Sequence, residues 1–538
     1  MLRSTFLGYK TATSALTVSQ NMMDVVGQNI SNVNTQGYTR QRLDINSVSF
    51  STNNLKLGIN GVIIGQGVEA SGVSQFRDSF LDLRYRMESA KVGSEDVQLE
   101  ALSDLENVFD EITTDGLDAQ FSDLLEQLHS LTSSPSDPVL EGVVRTSAEM
   151  LTQLFNDYSE QINTIKNQQL SYLQDGAIEK INQLAENIAK LNKQIKADNI
   201  SGNPALELND ERNMLIDELS NYLDIEVVIE PLDIGGGKTI DELSIKLRNI
   251  DPAVELVNRD NHNELSIGTG IDNGTIINIT KPKVDAITGE ILKDADGNTA
   301  YETNLTDITS SIKGGQVDGY LKFLNGSGEF ATTSYANKGV VYYQSMLDTL
   351  ANKFATVMNE VNKAPVYADG SVTTWTDKPL FEPRTGTDIT AGNIKISDDW
   401  AKATGSYITN TTVNTAGDSS GATDNILKMI SKFQSGEGTF NFTTSGDTGT
   451  PLFDGTFQEF LTYTTTRLNL QVADVQTSYD TYSDTQYQLD YARSSMSSVD
   501  LNEEGVNLLT YSKSYNAAAR LMTTLDEMLD TLINEMAR

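Results

Sequence analysis

The 538-residue sequence predicts a mixed, mainly α-helical fold that carries one or two small antiparallel β domains. Three patterns support this prediction. Both ends of the chain carry regularly spaced apolar residues, the middle carries long stretches with apolar residues three and four apart, and short alternating runs bounded by turn residues interrupt it. We expect N- and C-terminal helices paired as a coiled coil, a bundle of long helices and inserted β regions.

The C-terminal stretch from Val499 to Arg538 has the strongest helix pattern in the chain. Its apolar residues recur every seven positions, and a second row follows with an offset of three. Such a/d spacing, sustained over about five heptads, is typical of a helix that packs against partner helices. Asp500 is the predicted N-cap. The predicted assembly contacts are Leu501, Leu508, Tyr511, Tyr515, Ala518, Met522, Leu525, Leu529, Leu532 and Met536.

A second helix pattern runs from Thr5 to about Val33 and ends in an Asn-rich segment. Asn adopts left-handed conformations and bonds the local backbone, so this cluster, followed by a glycine, predicts a specific turn. The net formal charge is +2 over residues 1–46 and −4 over residues 500–538. Two helices of an ordinary bundle would also fit this pattern. The predicted assembly contacts at this end are Ala15, Val18, Met22, Val25, Asn29, Asn32, Asn34, Gly37 and Tyr38.

The composition argues against several classes of protein. The formal net charge of −36 disfavours binding to nucleic acid or to an anionic membrane. Cysteine is absent, so disulfides and thiolate metal sites are impossible. No apolar run is long enough to span a bilayer, so we expect no membrane insertion. The first ten residues lack the apolar segment of a cleavable signal peptide, so any export would use another route.

Residues 43–75 alternate and are rich in Gly, Ile and Val, which predicts a hairpin or an extended linker. Gly65, Gly67 and Gly72 superficially suggest a nucleotide-binding loop. Neither a following helix nor a Lys-Ser/Thr pair supports that interpretation, so we interpret them as turn residues.

A helical stretch follows from Asp78 to about Tyr222. It breaks at Ser133–Pro138 and continues as one long helix from about Pro138 to Ala197, with a kink expected at Gly176. A further helix covers Leu206 to Tyr222.

Acidic residues on that last helix could be mistaken for a metal or acid–base site. Asp210 and Asp217 are one heptad apart, and Arg212 lies between them. We predict a solvated, ion-paired helix face here.

The pattern changes from helical to strand-like at Asp224. From there to about residue 310, short alternating runs with frequent turn signals predict a small β-sandwich or barrel. Asp294–Asn298 resembles the opening of a calcium loop, but no Glu follows at the required position, so a hairpin turn is favoured. Helical patterns return near 314–354 and again from Phe457, while the segment between them is polar.

These patterns divide the chain into four predicted domains. They are a terminal-helix domain (1–45 with 497–538), a helical bundle (46–224 with 311–364 and 455–496), a β domain (225–310) and a polar β or loop insertion (365–454).

Motifs at both ends resemble a known family. Gln28–Gln41, with its Asn cluster and Gly37, resembles the N-terminal motif of the axial proteins of the bacterial flagellum, which include rod, hook and hook-associated proteins. Val499–Glu504 and the helix after it resemble their C-terminal motif. Leu206–Leu219 and Gly314–Leu321 resemble the hook-associated protein 1 group within that family.

The resemblance implies a structural component of the hook–filament junction, located outside the cell and exported without a cleaved signal. It implies that residues 1–45 and 497–538 become ordered on assembly and form the innermost coiled layer, with the β regions outermost. The partners that it implies are other copies in a ring or helical assembly, hook protein below, a second junction protein above, an export chaperone on the C-terminal helix, and the flagellar export apparatus.

Three alternatives stay open: a hook or distal-rod protein, an exported flagellar-type protein with an adhesive or enzymatic insertion, and an ordinary cytosolic helical protein. The long helical stretch argues against the first, because hook and rod proteins are expected to be β-rich between their ends. His129 and His262 have no evident partner in the sequence, and no catalytic constellation emerges. We therefore expect a non-enzyme without cofactor or metal.

Overall fold

The structure is a computed structural model. It describes the chain except for residues 1–4, 49–66, 115, 236–237, 249, 251–252, 271–272, 285–290, 294–298, 332–336, 369–370, 414–420, 435–439, 444–450, 532 and 534–538. The predicted contacts Leu532 and Met536, the turn at Asp294–Asn298 and Gly65 lie outside the described residues.

The described residues form mainly helices, which confirms the predicted fold class. The helices are α1 (Thr5–Ser31), α2 (Ser79–Thr114), α3 (Leu117–Leu131), α4 (Pro138–Ser171), α5 (Glu179–Ser201), α6 (Leu206–Tyr222), α7 (Gln316–Asn325), α8 (Val340–Val361), α9 (Asp398–Lys402), α10 (Asp424–Gln434), α11 (Phe457–Ser497) and α12 (Leu501–Asp530). A π-helical segment, Tyr172–Ile178, joins α4 to α5 and contains Gly176, where a kink was expected.

The strands are short and form small antiparallel sheets. They are β1 (Gln41–Ser47), β2 (Val68–Gln75), β3 (Ile225–Gly235), β4 (Lys238–Leu247), β5 (Glu255–Asn258), β6 (Asn261–His262), β7 (Glu264–Thr269), β8 (Thr275–Thr280), β9 (Thr306–Asp307), β10 (Ala364–Ala368), β11 (Ser371–Thr376), β12 (Phe381–Pro383), β13 (Ile394–Ile396), β14 (Phe440–Thr443) and β15 (Pro451–Gly455). Strands β3 to β6 make a four-stranded sheet and β7 to β9 a three-stranded sheet, while the others pair as two-stranded hairpins or ladders.

Local signals explain where the long helices begin. Asp137 caps α4 by accepting a hydrogen bond from the Val139 N–H, and Pro138 follows at a position where no N–H is needed. Thr456 and Glu459 form a reciprocal capping box at the start of α11. Asp500 accepts from the Asn502 and Glu503 N–H groups, which confirms it as the N-cap of α12.

One large hydrophobic core joins the helical bundle to residues from both β-rich regions. Phe121 stacks on Phe457, with ring centroids 5.9 Å apart, and meets Phe354 edge-on at 5.4 Å. Ile245 of β4 and Trp400 of α9 belong to the same cluster. The four-domain division stays a prediction, because a shared core does not itself set domain boundaries.

The acidic face predicted on α6 is ion-paired but not solvated, so that part of the prediction is wrong. Asp210 is buried and accepts a hydrogen bond from the Thr39 N–H at 2.9 Å. Asp217 pairs with Arg86 at 2.7 Å. Arg212 instead donates to Asn192 and Asn209. The reason is tertiary: α6 packs against α2, which brings arginines from other elements onto its acids.

Candidate assembly site at the paired terminal helices

Helices α1 and α12 pack against each other, as the sequence predicted. Their direction follows from two contacts. A Cβ built on Gly8 would lie 3.2 Å from Leu525 Cδ2, and Asn29 Nδ2 donates to Glu504 Oε2 at 3.3 Å. Early residues of α1 therefore meet late residues of α12, so the pair is antiparallel. The same register places Ala15 level with Ala518.

The structure brings one heptad row of α12 against α1 and leaves part of the other row open. Val18 and Ala518 are buried. Most other predicted contacts are half-buried: Ala15, Met22, Val25, Tyr511, Met522, Leu525 and Leu529. On the described part of α12, three predicted contacts are exposed, namely Leu501 (53 %), Leu508 (39 %) and Tyr515 (36 %). One partner helix covers only one side of a two-row seam, so these residues stay available.

Sequence reasoning missed further exposed apolar residues on α12. Val506 and Leu509 are each 63 % exposed, and Leu521 and Met528 are also exposed. The signal was present, since Leu521 and Met528 are themselves seven residues apart. Together these side chains give α12 an apolar surface that α1 does not cover.

The predicted Asn-rich turn forms, and Asn29 is its centre. Asn29 is buried; its Oδ1 accepts from the Gln41 N–H at 3.0 Å and from the Tyr38 hydroxyl at 2.9 Å. Its Nδ2 donates to the Gln41 carbonyl at 2.9 Å. Burial, with Glu207 nearby, raises the pKa of Tyr38 to about 12, so its hydroxyl stays a donor. Asn29 thus ties the end of α1 to β1.

The other turn residues have more local roles. Asn32 Nδ2 donates to the Gln28 carbonyl, and Asn34 is exposed. Gly37 has φ of +77°, a left-handed conformation, and a Cβ built there would lie 2.1 Å from Met214 Sδ. A side chain at this position is therefore disfavoured by backbone strain, and it would also displace the flexible Met214 side chain of α6.

Ion pairs join the N-terminal segment to the start of α12. Arg40 Nε donates to Glu504 at 2.7 Å, and its terminal nitrogens bond Glu503. The Arg40 N–H donates to the Ser497 carbonyl at 2.8 Å. Glu504 is buried, whereas 56 % of the Glu503 side chain is exposed. Asn29, Tyr38, Arg40, Gln41 and Glu504 are called the terminal clasp below.

Sequence reasoning did not assign Arg40 and Glu504 to the site, although a signal existed. Glu504 lies seven residues before Tyr511, so it occupies the row that faces α1. A charge in an apolar seam requires a paired partner, because an unpaired buried charge is costly.

A cleft of about 790 Å³ lies between the Asn-rich turn and helices α2, α6 and α11. Arg493 of α11 lines it, stacks 4.0 Å from the Tyr85 ring and pairs with Asp217 at 2.5 Å. Thr39 and Asp210 link the two sides nearby. Burial is the main influence on Asp210 and raises the pKa of this carboxyl.

The described residues contain no group of three or more His, Asp or Glu side chains that could hold a metal ion. His262 has a partner that the sequence did not reveal, since its Nε2 lies 2.8 Å from the Tyr301 hydroxyl oxygen. His129 is exposed near the end of α3. No helix in the described part of the chain has the length and apolarity of a membrane span.

Comparison with known proteins places these features in a family. Residues 102–381 match the family described as "Flagellar hook-associated protein FlgK helical domain". Residues 10–39 match "Flagella basal body rod protein", and residues 493–535 match "Flagellar basal body rod FlgEFG protein C-terminal". The two terminal matches therefore coincide with α1 and α12.

Two individual relatives agree with these matches. The chain is 28 % identical to flagellar hook-associated protein 1 of Bacillus subtilis (strain 168), over 99 % of each protein. It is also 28 % identical to the Escherichia coli (strain K12) protein of the same name, over 41 % of this chain and 39 % of that one. The solved structure of the flagellar hook junction protein FlgK from Burkholderia pseudomallei overlaps 56 % of this chain and 46 % of that chain, with a TM-score of 0.40 and 19 % identity. Because the helical-domain match covers more than half of the sequence, this chain belongs to the flagellar hook-associated protein FlgK family.

Proposed function

We propose that this chain is a structural subunit of the hook–filament junction and that it assembles through α1 and α12. The chain is a flagellar hook-associated protein and a structural component of the bacterial flagellum. The observation that carries the assembly proposal is the unequal burial of α12. One heptad row packs on α1, while Leu501, Leu508 and Tyr515 stay exposed.

An exposed apolar row on a long helix favours contact with further helices. Polymerisation would cover it with the terminal helices of neighbouring copies, and a head-to-tail contact repeated around an axis gives a ring or a helical assembly. The charges support this packing, since residues 1–46 carry +2 and residues 500–538 carry −4. The proposed assembly site comprises the terminal-helix contacts named from the sequence: the exposed ones would meet neighbouring copies, and the terminal clasp holds α1 against α12 within one copy.

The wider roles are part of the same proposal. The copies would contact hook protein on one side and a second junction protein on the other, outside the cell, after export without a cleaved signal and with a chaperone on α12. The terminal helices would form the inner layer, the bundle the next layer and the β regions the outer layer. We propose no catalytic role and no cofactor.

Truncation tests the assembly proposal. Removing Leu525–Arg538 deletes the part of α12 that meets the start of α1, so the bundle should stay folded while the protein no longer enters flagella. Circular dichroism of the purified variant measures the first outcome. Electron microscopy of cells producing only this variant measures the second, and normal filaments would contradict the proposal.

A control variant, Tyr487→Ser, changes a residue of α11 that is 73 % exposed and leaves the terminal pair intact. Cells producing it should make normal filaments. Hydrogen exchange on the full-length monomer adds a further test of the terminal helices. We expect faster exchange in α1 and α12 than across α2 to α6, because the terminal pair exposes apolar surface that assembly would cover.

A further inference from the structure

One hairpin lies apart from the core. Strands β10 and β11 pair only with each other, and among the described elements the hairpin packs extensively against none. A two-stranded hairpin on its own is at best marginally stable in water. A projecting hairpin with two open edges therefore gains stability from a binding partner.

One face of this hairpin exposes two apolar side chains of β11. Trp375 and Val372 are 51 % and 42 % exposed. Their backbone partners on β10 are two residues apart, at positions 365 and 367, and a bulge in the register between 366 and 367 accounts for the spacing of three on β11. Residues opposite each other, and residues two apart, share a face of a sheet, so Trp375 and Val372 lie on the same face. The other tryptophan of the chain, Trp400, is buried.

The root of the hairpin lies beside the start of α4. Asn362 donates to the Lys378 carbonyl at 2.8 Å and accepts from the Thr409 N–H at 2.8 Å. The neighbouring Ile408 N–H donates to Glu141 of α4 at 3.2 Å. The hairpin and the first turns of α4 therefore belong to the same end of the molecule.

Those first turns carry a second exposed apolar surface. Val139 is 74 % exposed, Val143 is 44 % exposed and Met150 is 51 % exposed. Their spacing of four and seven residues places them along one side of the helix. The α4 stripe, defined as Val139, Val143 and Met150, is thus uncovered at the same end as the hairpin.

We propose that the β10–β11 hairpin of one copy docks on the α4 stripe of a neighbouring copy. This inference rests on the proposed function, which arranges copies of the chain around an assembly axis. Rotation about that axis relates neighbouring copies and leaves each surface at the same height and at the same distance from the axis. Surfaces at the same end of each subunit then lie at the same level in neighbouring copies, so a contact between them needs no shift along the axis. The hairpin meets the stripe of the next copy, which is a head-to-tail contact that repeats around the axis.

Charge favours a second copy as the occupant. Every copy carries a net charge of −36, so copies repel each other except where their surfaces are weakly charged. Residues 364–376 contain one charged residue, Asp369, in a chain that is 21 % charged. The α4 stripe is likewise built from apolar side chains. These are surfaces on which two highly acidic molecules can come into contact.

Cross-linking in assembled flagella tests the docking, and the absence of native cysteine removes background within the chain. A Val143→Cys, Val372→Cys variant is produced in the bacterium that makes this protein, and detached flagella are treated with a short bismaleimide. We expect a ladder of covalent oligomers, since each copy supplies both halves of the contact. Either single variant should give none. A Tyr487→Cys, Val372→Cys variant is the control, because Tyr487 lies on α11 and is 73 % exposed.

A third change tests the role of the tryptophan. Adding Trp375→Asp to the cross-linking variant should lower ladder yield about tenfold, because a tryptophan anchor commonly dominates an interface. Adding Tyr487→Asp should leave the yield unchanged.

Each outcome separates the inference from the proposed function. Filaments without a ladder would overturn the docking while leaving the junction role intact. Dimers from Val372→Cys alone would mean that hairpins meet each other, and a band with another flagellar protein would identify a different partner; both overturn the inference. Failure of the unmodified chain to enter flagella would overturn the junction role and the docking together.

Discussion

The terminal clasp offers the sharpest test of how the two ends are held together. Arg40 bonds a buried carboxylate, Glu504, and an exposed one, Glu503. Replacing Arg40 with Met removes the cation and keeps most of the side-chain volume. Glu504 then remains buried with Asn29 as its neutral hydrogen-bond donor, and breaking a buried pair in this way costs about 3–5 kcal/mol.

The matched control is Glu503→Gln. It removes a charge from the same arginine, but at a side chain that is 56 % exposed. Because this carboxylate is exposed and Arg40 keeps Glu504 as its partner, the change should cost about 0–1 kcal/mol. The difference in free-energy cost between the two variants therefore measures how much the burial of Glu504 strengthens its dependence on Arg40.

Hydrogen exchange followed by mass spectrometry on the full-length protein measures this difference locally. A loss of about 3 kcal/mol raises the exchange of amides in α1 and α12 by about a hundredfold. We expect that change for Arg40→Met, a change below about fivefold for Glu503→Gln, and unchanged exchange in α8 for both. Equal effects of the two variants, or no effect of Arg40→Met, would refute the assignment of the clasp.

Three further predictions concern the body of the protein and the turn. Burial raises the pKa of the Asp348 carboxyl in the folded state above its ordinary value of 3.8. The stability that this carboxyl contributes is therefore present below pH 3.8 and is lost as the pH rises through the folded-state pKa. Asp348→Asn should raise Tm relative to wild type more at about pH 7 than at about pH 3.5, and an equal difference at both pH values would contradict this. Glu141 is buried and accepts hydrogen bonds from Trp400 Nε1 and from backbone N–H groups; Glu141→Ala should lower the free energy of unfolding in urea by about 2–4 kcal/mol, because those donors lose their acceptor. Gly37→Ala should destabilise by about 1–2 kcal/mol, since its φ is +77°, whereas Gly27→Ala in α1 has open space and should stabilise by about 0.5–1 kcal/mol; thermal unfolding of both variants checks the opposite signs.

Much of the fold was predictable because its signals are local. The break at Ser133–Pro138 and the N-cap at Asp500 follow from capping and turn chemistry within a few residues. The pairing of α1 with α12 was also predictable, because apolar spacing over a long helix demands a partner. The positions of Leu532 and Met536 lie beyond the described residues.

The environment of charged residues was not predictable in the same way. Asp210 and Asp217 resemble a solvated helix face in the sequence, yet Thr39, Arg86 and Arg493 reach them from distant parts of the chain. No local pattern encodes which arginine will meet which acid. That choice depends on how α2, α6 and α11 pack, and packing is a property of the whole chain.

The sequence by itself determined the elements, the heptad rows and the family motifs at the two ends, since each depends on the spacing of neighbouring residues. Only the tertiary structure decided which row of α12 faces α1, that Glu504 is buried against Arg40, and that Trp375 and the α4 stripe are exposed at one end. The physical reason is burial. Periodicity fixes which side chains share a face, but the packing of distant segments decides which faces are covered and which remain free to bind.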